Sequence, residues 1–420
     1  MRRSASLLFI GLACGLFACA TTGSTPPGRA TRTPAADAPR ESPDLDSFVH
    51  LVIDLGSSGT RMCLYRVSHP KRGGACRLST ERPVCSRVSG GLAKLTRGHR
   101  PNRIGTLVEG PLRRAWELLG DAQVGGDPTL RSQVRAAVAL GTGGFRDRST
   151  GQPLNRPEWR LLFSEVERFM KQEAGLAQIV AWPITGEEEG RLAWLGLAQT
   201  AQQPTDFAAI EAGGATIQLA VGSSAGARTL VEVASDPLGQ DVIFERFVEG
   251  RSADRRAFAV CFDPKHPSKQ DGPQCTELLQ REVFQRSAVR RLAERSSPRR
   301  LYGLGLAFGE QFRSYPAAAP WPTKQDRAMH PSLSLSAIRE LTTLLCPLTD
   351  AEIRPYAPNA LAIQHSDPRG AGRACYYLAY RSALLATIQP VAAAATIHAA
   401  DEDQWPRGAA IAGDFFPACR

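Results

Sequence analysis

At 420 residues the chain is long for a single hydrophobic core, and two lobes are expected. Its 43% hydrophobic and 22% charged composition reads as globular, and beyond the N-terminal segment no run of about eighteen apolar residues remains to span a bilayer. The net charge of +10 suits an anionic partner, but the basic residues are scattered, without a run or an interleaved aromatic platform, so no nucleic-acid partner is expected.

Arg2 and Arg3 precede an apolar run from Leu7 to Ala18 that is too short for a membrane helix, which predicts a signal peptide over residues 1–18. Leu16-Phe17-Ala18-Cys19 resembles a bacterial lipobox. It implies lipidation at Cys19, hence export and a lipid anchor on the periplasmic or cell-surface side of a bacterial membrane; Cys14 is a second candidate, and ordinary cleavage to a soluble product is the alternative. Residues 19–47, rich in Thr, Pro, Ala and Gly, cannot bury enough apolar surface to fold and are read as a tether. The ten cysteines fit an oxidising compartment, with Cys76–Cys85, Cys261–Cys275 and Cys346–Cys375 as candidate pairs on closeness in sequence, which does not by itself fix the connectivity.

The folded part opens with two strand-like runs, "FVHLVIDLG" and "TRMCLYRV", joined closely enough to form a hairpin. "IGTLVEGPLRRAWELLG" has helical spacing, "QVRAAVALGT" reads as a buried strand ending in a glycine turn, and "RPEWRLLFSEVERFMKQEAG" as an amphipathic helix. A strand, "AQIVAWPITG", leads into the helix "EEEGRLAWLGLAQTA", whose acidic first turn suits the helix dipole. "FAAIEAGGATIQLAVG" is again two strands around a glycine turn, and it repeats the order of Asp54 to Thr60, which predicts two lobes built on one plan. The stretch from Asp254 to Gln280 reads as an insertion loop, and that from Ser314 to Gln325 as an irregular surface segment.

Turns without bulky side chains expose backbone N–H groups that hold phosphate oxygens, and glycine allows the close approach. Gly56, Ser57, Ser58, Gly59 and Thr60 form one such turn; Gly213, Gly214, Ala215 and Thr216 form the other. Asp54 and Glu211, at the ends of the preceding strands, would repel bare phosphate and make sense around a divalent cation, Mg2+ or Ca2+. "ALGTGGFRD" and "ITGEEEGRL" end at the same side by strand polarity, where ligands gather in an α/β sheet.

This four-part order resembles the actin-like phosphohydrolases, in particular the nucleoside triphosphate diphosphohydrolase (apyrase, ecto-nucleotidase) family, through "IDLGSSGTR", "ALGTGGFR", "ITGEEEGRLAW" and "IEAGGATIQ"; "RVSGGLAKL", "CYYLAYRSALL" and "DEDQWPRGAAI" are also similar to that family. "EEEGRLAWLGLA" and "SDPLGQDVIFERF" are equally similar to the exopolyphosphatase and guanosine pentaphosphate phosphohydrolase family, whereas Gln218, Ala215 and the cysteines favour the apyrase side. Either resemblance implies a two-lobed actin-like (ribonuclease H-like) α/β fold with an interlobe cleft, lobe I over 48–200, lobe II over 201–390, and 391–420 returning toward lobe I.

The resemblance further implies that Glu189 is the general base, with Thr216 and Gln218 holding the attacking water, Asp54 and Glu211 contacting the cation, and Thr142 and Arg146 bordering the phosphate. A surface or inter-strand ion pair is the alternative for Arg146. Glu211 departs from the aspartate both families carry there, which leaves a non-catalytic phosphate- or nucleotide-binding lipoprotein as a third reading beside nucleotide and polyphosphate hydrolysis. Glu187 and Glu188 are read as solvent-facing helix-start acids and Trp194 as core; Asp147 and Asp236 carry no assignment.

Overall fold

The computed structural model describes residues 45–56, 59–70, 75–79, 82–121, 129–147, 149–200, 206–225, 228–248, 253–263, 266, 269–296, 298, 300–305, 308, 332–348, 373–389, 396–399 and 404–419. The signal, Cys19, nearly all of the tether, Ser57, Ser58 and the polar stretch at 314–325 lie outside these residues. Among the described residues, no helix is long and apolar enough to cross a membrane.

β1 (Leu45–Leu55) and β2 (Gly59–Pro70) form the expected hairpin, with Asp54 opposite Arg61 and Leu55 opposite Thr60. β2 also pairs with β3 (Arg77–Leu78) and β4 (Val84–Ser89), and β1 pairs in parallel with β5 (Val134–Gly141), which pairs in parallel with β6 (Gln178–Pro183). Between β4 and β5 run α1 (Leu92–Thr96), α2 (Pro101–Leu119) and α3 (Thr129–Ser132). α4 (Pro157–Glu173) joins β5 to β6, and α5 (Gly186–Thr200) leaves the first sheet. β1 is covered on both faces, which is why it reads as a nearly unbroken apolar run: Val49, Leu51, Ile53 and Leu55 enter a core with α2 and α4, while Val52 enters a second core with α5.

The second half repeats this plan. β7 (Ala208–Ala212) is followed by β8 (Ile217–Ala225), β9 (Arg228–Asp236), α6 (Gln240–Ile243), α7 (Gly272–Leu279), α8 (Ala288–Glu294) and β10 (Leu301–Leu304). Next come β11 (Ser332–Ser334), α9 (Leu335–Leu345), α10 (Ala374–Thr387), β12 (Thr396–Ala399) and α11 (Gln404–Ile411). The order β9-β8-β7-β10-β12 matches β3-β2-β1-β5-β6 in strand sense, two antiparallel pairings and then two parallel ones. Asp44–Arg420 form one compact unit.

α5 and α11 lie between the two sheets, in a core that draws Val52 and Val138 from the first sheet and Phe207, Ala209 and Ala220 from the second. Their approach demands glycine, since a Cβ on Gly196 would collide with the Gln404 carbonyl and one on Gly408 with the Leu192 carbonyl. α11 also contacts β1, β2 and β3, so the chain end lies against the first sheet. Trp194 is core: it stacks on Phe207 at 4.7 Å and its Nε1 donates to the Phe207 carbonyl at 3.1 Å.

Two sequence expectations are corrected. Cys76 and Cys85 do not pair with each other: Cys85 bonds Cys63 and Cys76 bonds Cys419, while Cys261–Cys275 and Cys346–Cys375 form as expected. Closeness in sequence misleads because the β2–β4 register sets Cys63 directly across from Cys85, with the Cα atoms 4.1 Å apart. The stretch after Asp254 is not a surface loop either. It carries a 3-10 helix (Ala253–Val260) and α7, and buries Phe258, Cys261 and Cys275 in the second-sheet core, because its apolar side chains are needed to cover that sheet.

Candidate active site

All four glycine turns meet at one place. In the first, Gly56 donates to the Gly59 carbonyl at 2.9 Å; a side chain on Gly59 would press on the Val88 carbonyl of β4 at 2.7 Å, so its bareness serves strand packing. The second, a 3-10 turn over Gly143–Phe145, ties to the first through the Thr142 N–H and the Leu55 carbonyl at 3.3 Å. The third joins β6 to α5 and is tied to the end of β5, Ile184 donating to the Gly141 carbonyl at 2.9 Å. The fourth closes on itself through Gly213 N–H and Thr216 O at 3.0 Å, and the segment before α6 lies on it, Gly239 donating to Ala215 at 3.1 Å and Gln240 to Gly213 at 3.1 Å. A Cβ on Gly143 would come within 2.8 Å of Ala215 Cβ, so turns from the two halves touch.

α5 begins with a capping box. Thr185 N–H donates to Glu188 Oε2 at 2.8 Å and Glu188 N–H to Thr185 Oγ1 at 3.1 Å, so Glu188 is a cap and only Glu187 faces solvent. This fixes the first turn of α5 and aims Glu189 inward, where it is 6% exposed. Glu189 Oε2 pairs with Arg146 Nη2 at 2.7 Å and accepts from Gln218 Nε2 at 3.2 Å, while Gln218 Nε2 also reaches Thr216 Oγ1 at 2.8 Å. The rest of the Arg146 guanidinium is committed to the third and fourth turns: Nε to Ile184 O at 2.9 Å, Nη2 to Thr185 O at 3.0 Å and Nη1 to Thr216 Oγ1 at 3.4 Å. The pair therefore lies inside the site, not on the surface.

Asp54 and Glu211 occupy equivalent places at the ends of β1 and β7. Burial pushes the Asp54 carboxyl up to about 7; Arg61, Arg87 and a hydrogen bond from Thr142 oppose the shift and Glu189 adds to it. Burial pushes Glu211 well above the carboxylate range, helped by Glu189 and Asp54 and opposed by Arg146 and Arg61. Three carboxylates thus share one neighbourhood. Asp54 Oδ1 and Glu211 Oε2 are buried without a hydrogen-bond partner, as is the Thr60 hydroxyl. Two buried, orphaned carboxylate oxygens on residues that act on each other electrostatically fit a hard divalent cation that completes its shell with water and phosphate oxygens. Among the described residues no group of three His, Cys, Asp or Glu side chains forms a site that would hold a metal by itself.

Sequence reasoning missed several neighbours. Arg61 is legible in retrospect, since the hairpin register places it across from Asp54. Lys94, Arg97, Asp241 and Glu245 line the cleft over Gly143, Gly144 and Gly214; Lys94 lies in "RVSGGLAKL" and Asp241 and Glu245 in "SDPLGQDVIFERF", stretches that carry the resemblance without assigning these side chains a role. Asp241 accepts from Tyr377 Oη at 3.3 Å; burial raises its pKa, against Lys94, Arg373 and the Tyr377 hydrogen bond, with Glu245 adding to the rise. The two unassigned acids have structural partners: Asp147 binds the N–H groups of Ser149 and Thr150 at 2.9 Å each, and Asp236 those of Ala288 and Val289 at the start of α8, at 3.1 and 2.9 Å.

Two mixed sheets of one plan, a cleft between them and glycine turns at the strand ends define a protein of the actin-like fold, α/β and two-lobed. Solved structures share it over most of their length. A Ppx/GppA family member from Aquifex aeolicus is 17% identical, covers 86% of this chain and 96% of its own, and has a TM-score of 0.52. An exopolyphosphatase from Cytophaga hutchinsonii ATCC 33406 is 16% identical over 86% of this chain and 96% of its own, with a TM-score of 0.51. Nucleoside triphosphate hydrolases from Neospora caninum are 13% identical over 87% and 92%, also with a TM-score of 0.51. No family model and no curated protein matches the sequence.

Proposed function

We propose that this protein is a metal-dependent phosphohydrolase that removes terminal phosphates from nucleoside tri- and diphosphates, as the apyrase-like motifs suggest, by attack of a base-activated water. The observation that carries this reading is the buried Glu189 carboxylate, held by Arg146 and Gln218 where the turns of both halves meet. Phosphoanhydride hydrolysis needs an aligned water, an acceptor for its proton and positive or N–H density around the transferred group.

Glu189 takes the water's proton. Gln218 and Thr216, already bonded to each other and to Glu189 or Arg146, hold that water in line. Arg146, fixed by two carbonyls, keeps its charge beside the phosphoryl group as negative charge builds there. Backbone N–H groups of the first and fourth turns cradle the phosphates. Asp54 and Glu211 would hold a Mg2+ or Ca2+ ion, which offsets the charge of the phosphate oxygens when bound.

Exopolyphosphatase-type hydrolysis is the second reading, favoured by the stretch from Ser235 to Phe247, which resembles that family and closes over the fourth turn. An exported, lipid-anchored location through Cys19 accords with four disulfides that use every cysteine after it. The test gives the purified protein ATP, ADP and polyphosphate with Mg2+ or Ca2+, beside Glu189→Gln. The variant is expected to lose about 10²–10⁴-fold in phosphate release. Equal rates in the two proteins would remove Glu189 from the chemistry, and nucleotide binding without phosphate release would make this a binding protein.

A further inference from the structure

We propose that Asp241 and Glu245 form a charge gate at the mouth of the phosphate cleft, admitting short phosphoanhydrides and turning away chains that continue past it as a polyanion. The inference rests on the phosphohydrolase reading and concerns which substrates reach that site.

The cleft has two walls. Lys94 and Arg97 rise from the first half; Pro237, Asp241 and Glu245 stand on the second, with Gly143, Gly144 and Gly214 below. Asp241 is placed with unusual closeness to the phosphate turn. A Cβ on Gly214 would lie 2.5 Å from Asp241 Oδ2, and the Asp241 N–H donates to the Gly214 carbonyl at 2.9 Å. α10 holds it there from behind: Tyr377 Oη donates to its carboxylate at 3.3 Å, Tyr376 Oη to the Gln240 carbonyl at 2.7 Å, and Tyr380 Oη to the Leu238 carbonyl. The carboxylate therefore has little freedom to swing aside, and Glu245, four residues on, faces the same cleft.

A phosphoryl chain leaving across Gly214 meets these two acids at its next unit. Nucleoside di- and triphosphates and tripolyphosphate end within one or two phosphoryl units of that point, whereas a long polyphosphate continues past it with a further charge on every unit. A track for a long polyanion needs an excess of cations, but Lys94 and Arg97 face Asp241 and Glu245, and Arg146 is committed to Glu189. Repulsive elements of this kind set specificity by rejecting the competitor rather than by adding contacts to the preferred ligand.

The test compares the full-length chain with Asp241→Asn and Glu245→Gln on tripolyphosphate and long-chain polyphosphate in Mg2+. The expected result is a wild type with higher kcat/KM per chain end on tripolyphosphate, and a long-to-short ratio that rises about tenfold in Asp241→Asn and in the same direction in Glu245→Gln. A ratio unchanged in both variants, or a wild type that prefers long chains, overturns the gate. Should Asp241→Asn not fold, the exposed Glu245→Gln decides alone. If the wild type cleaves neither compound, phosphate release from ATP decides whether the hydrolase reading stands, and the gate is judged on calorimetric binding of the same two chains. There the same rise in ratio supports it and a constant ratio overturns it.

Discussion

Arg146 and Glu189 form a pair whose two side chains are 1% and 8% exposed, so neither charge has water to fall back on. Removing one partner of such a pair strands the other charge, at a cost of about 3–5 kcal/mol. Arg146→Met is therefore expected to lower unfolding free energy by that order in denaturant titrations, and to abolish phosphate release, since Glu189 loses its positioning partner. Stability near wild type would show that Glu189 simply takes up a proton or water in its place. Both residues were legible in the sequence through the resemblance that "ALGTGGFR" and "ITGEEEGRLAW" carry, rather than through local order alone. Lys94 and Asp241 were not. They meet because α1 and α6, nearly 150 residues apart, lie on opposite walls of one cleft; each lies in a stretch that carries the resemblance, but neither stretch tells that it faces the other.

At the scale of elements, β1 does double service: one end carries Asp54 and its middle carries His50, which anchors the returning chain end. His50 Nδ1 lies 2.6 Å from the Ala410 carbonyl, and its ring stacks on Phe416 at 3.7 Å. Burial lowers its pKa from 6.5 to about 4, the Ala410 hydrogen bond opposing the shift. A depressed pKa means that the unfolded chain takes up the proton first, so stability present above pH 6.5 is lost as pH falls toward 4, by about 3 kcal/mol in all. Asp54 and Glu211 slope the other way, since their raised pKa values give stability that is present in acid and lost as pH rises. The contribution of His50 is accordingly read from the difference between wild type and His50→Gln: the gap in unfolding free energy should shrink by that order between pH 7 and pH 4. A constant gap would mean the imidazole takes its proton as readily folded as unfolded. The hairpins, α2, α4 and α5 were all visible as periodicity, and closeness in sequence paired Cys261 with Cys275 and Cys346 with Cys375, whereas the partners of Cys85 and Cys76 depended on strand register and on a chain end far away in sequence, and neither leaves a local trace.

For the whole molecule, the arrangement that matters is the passage of α11 between the sheets. α5 carries Glu189 in its first turn and Leu192, Gly196 and Leu197 along the side that enters the core shared with α11, so the docking of the chain end fixes the helix that presents Glu189. The Cys76–Cys419 bond, with a separation of 343 residues, clamps that end to the first sheet, while Cys261–Cys275, with a separation of 14, lies within the second-sheet core. Closing a long loop restricts the unfolded chain more than closing a short one, so removal of the first bond should cost roughly 2–5 kcal/mol and removal of the second less. Activity separates them further. Cys76→Ala with Cys419→Ala loosens α11 from β3 and so relaxes α5, which predicts a loss of phosphate release per folded molecule; Cys261→Ala with Cys275→Ala touches neither helix and should leave that rate near wild type. Denaturant midpoints and rates corrected for folded fraction measure both quantities. If the two double variants lose activity equally, the chain end does not position Glu189, and the capping box of Thr185 and Glu188 must hold α5 by itself.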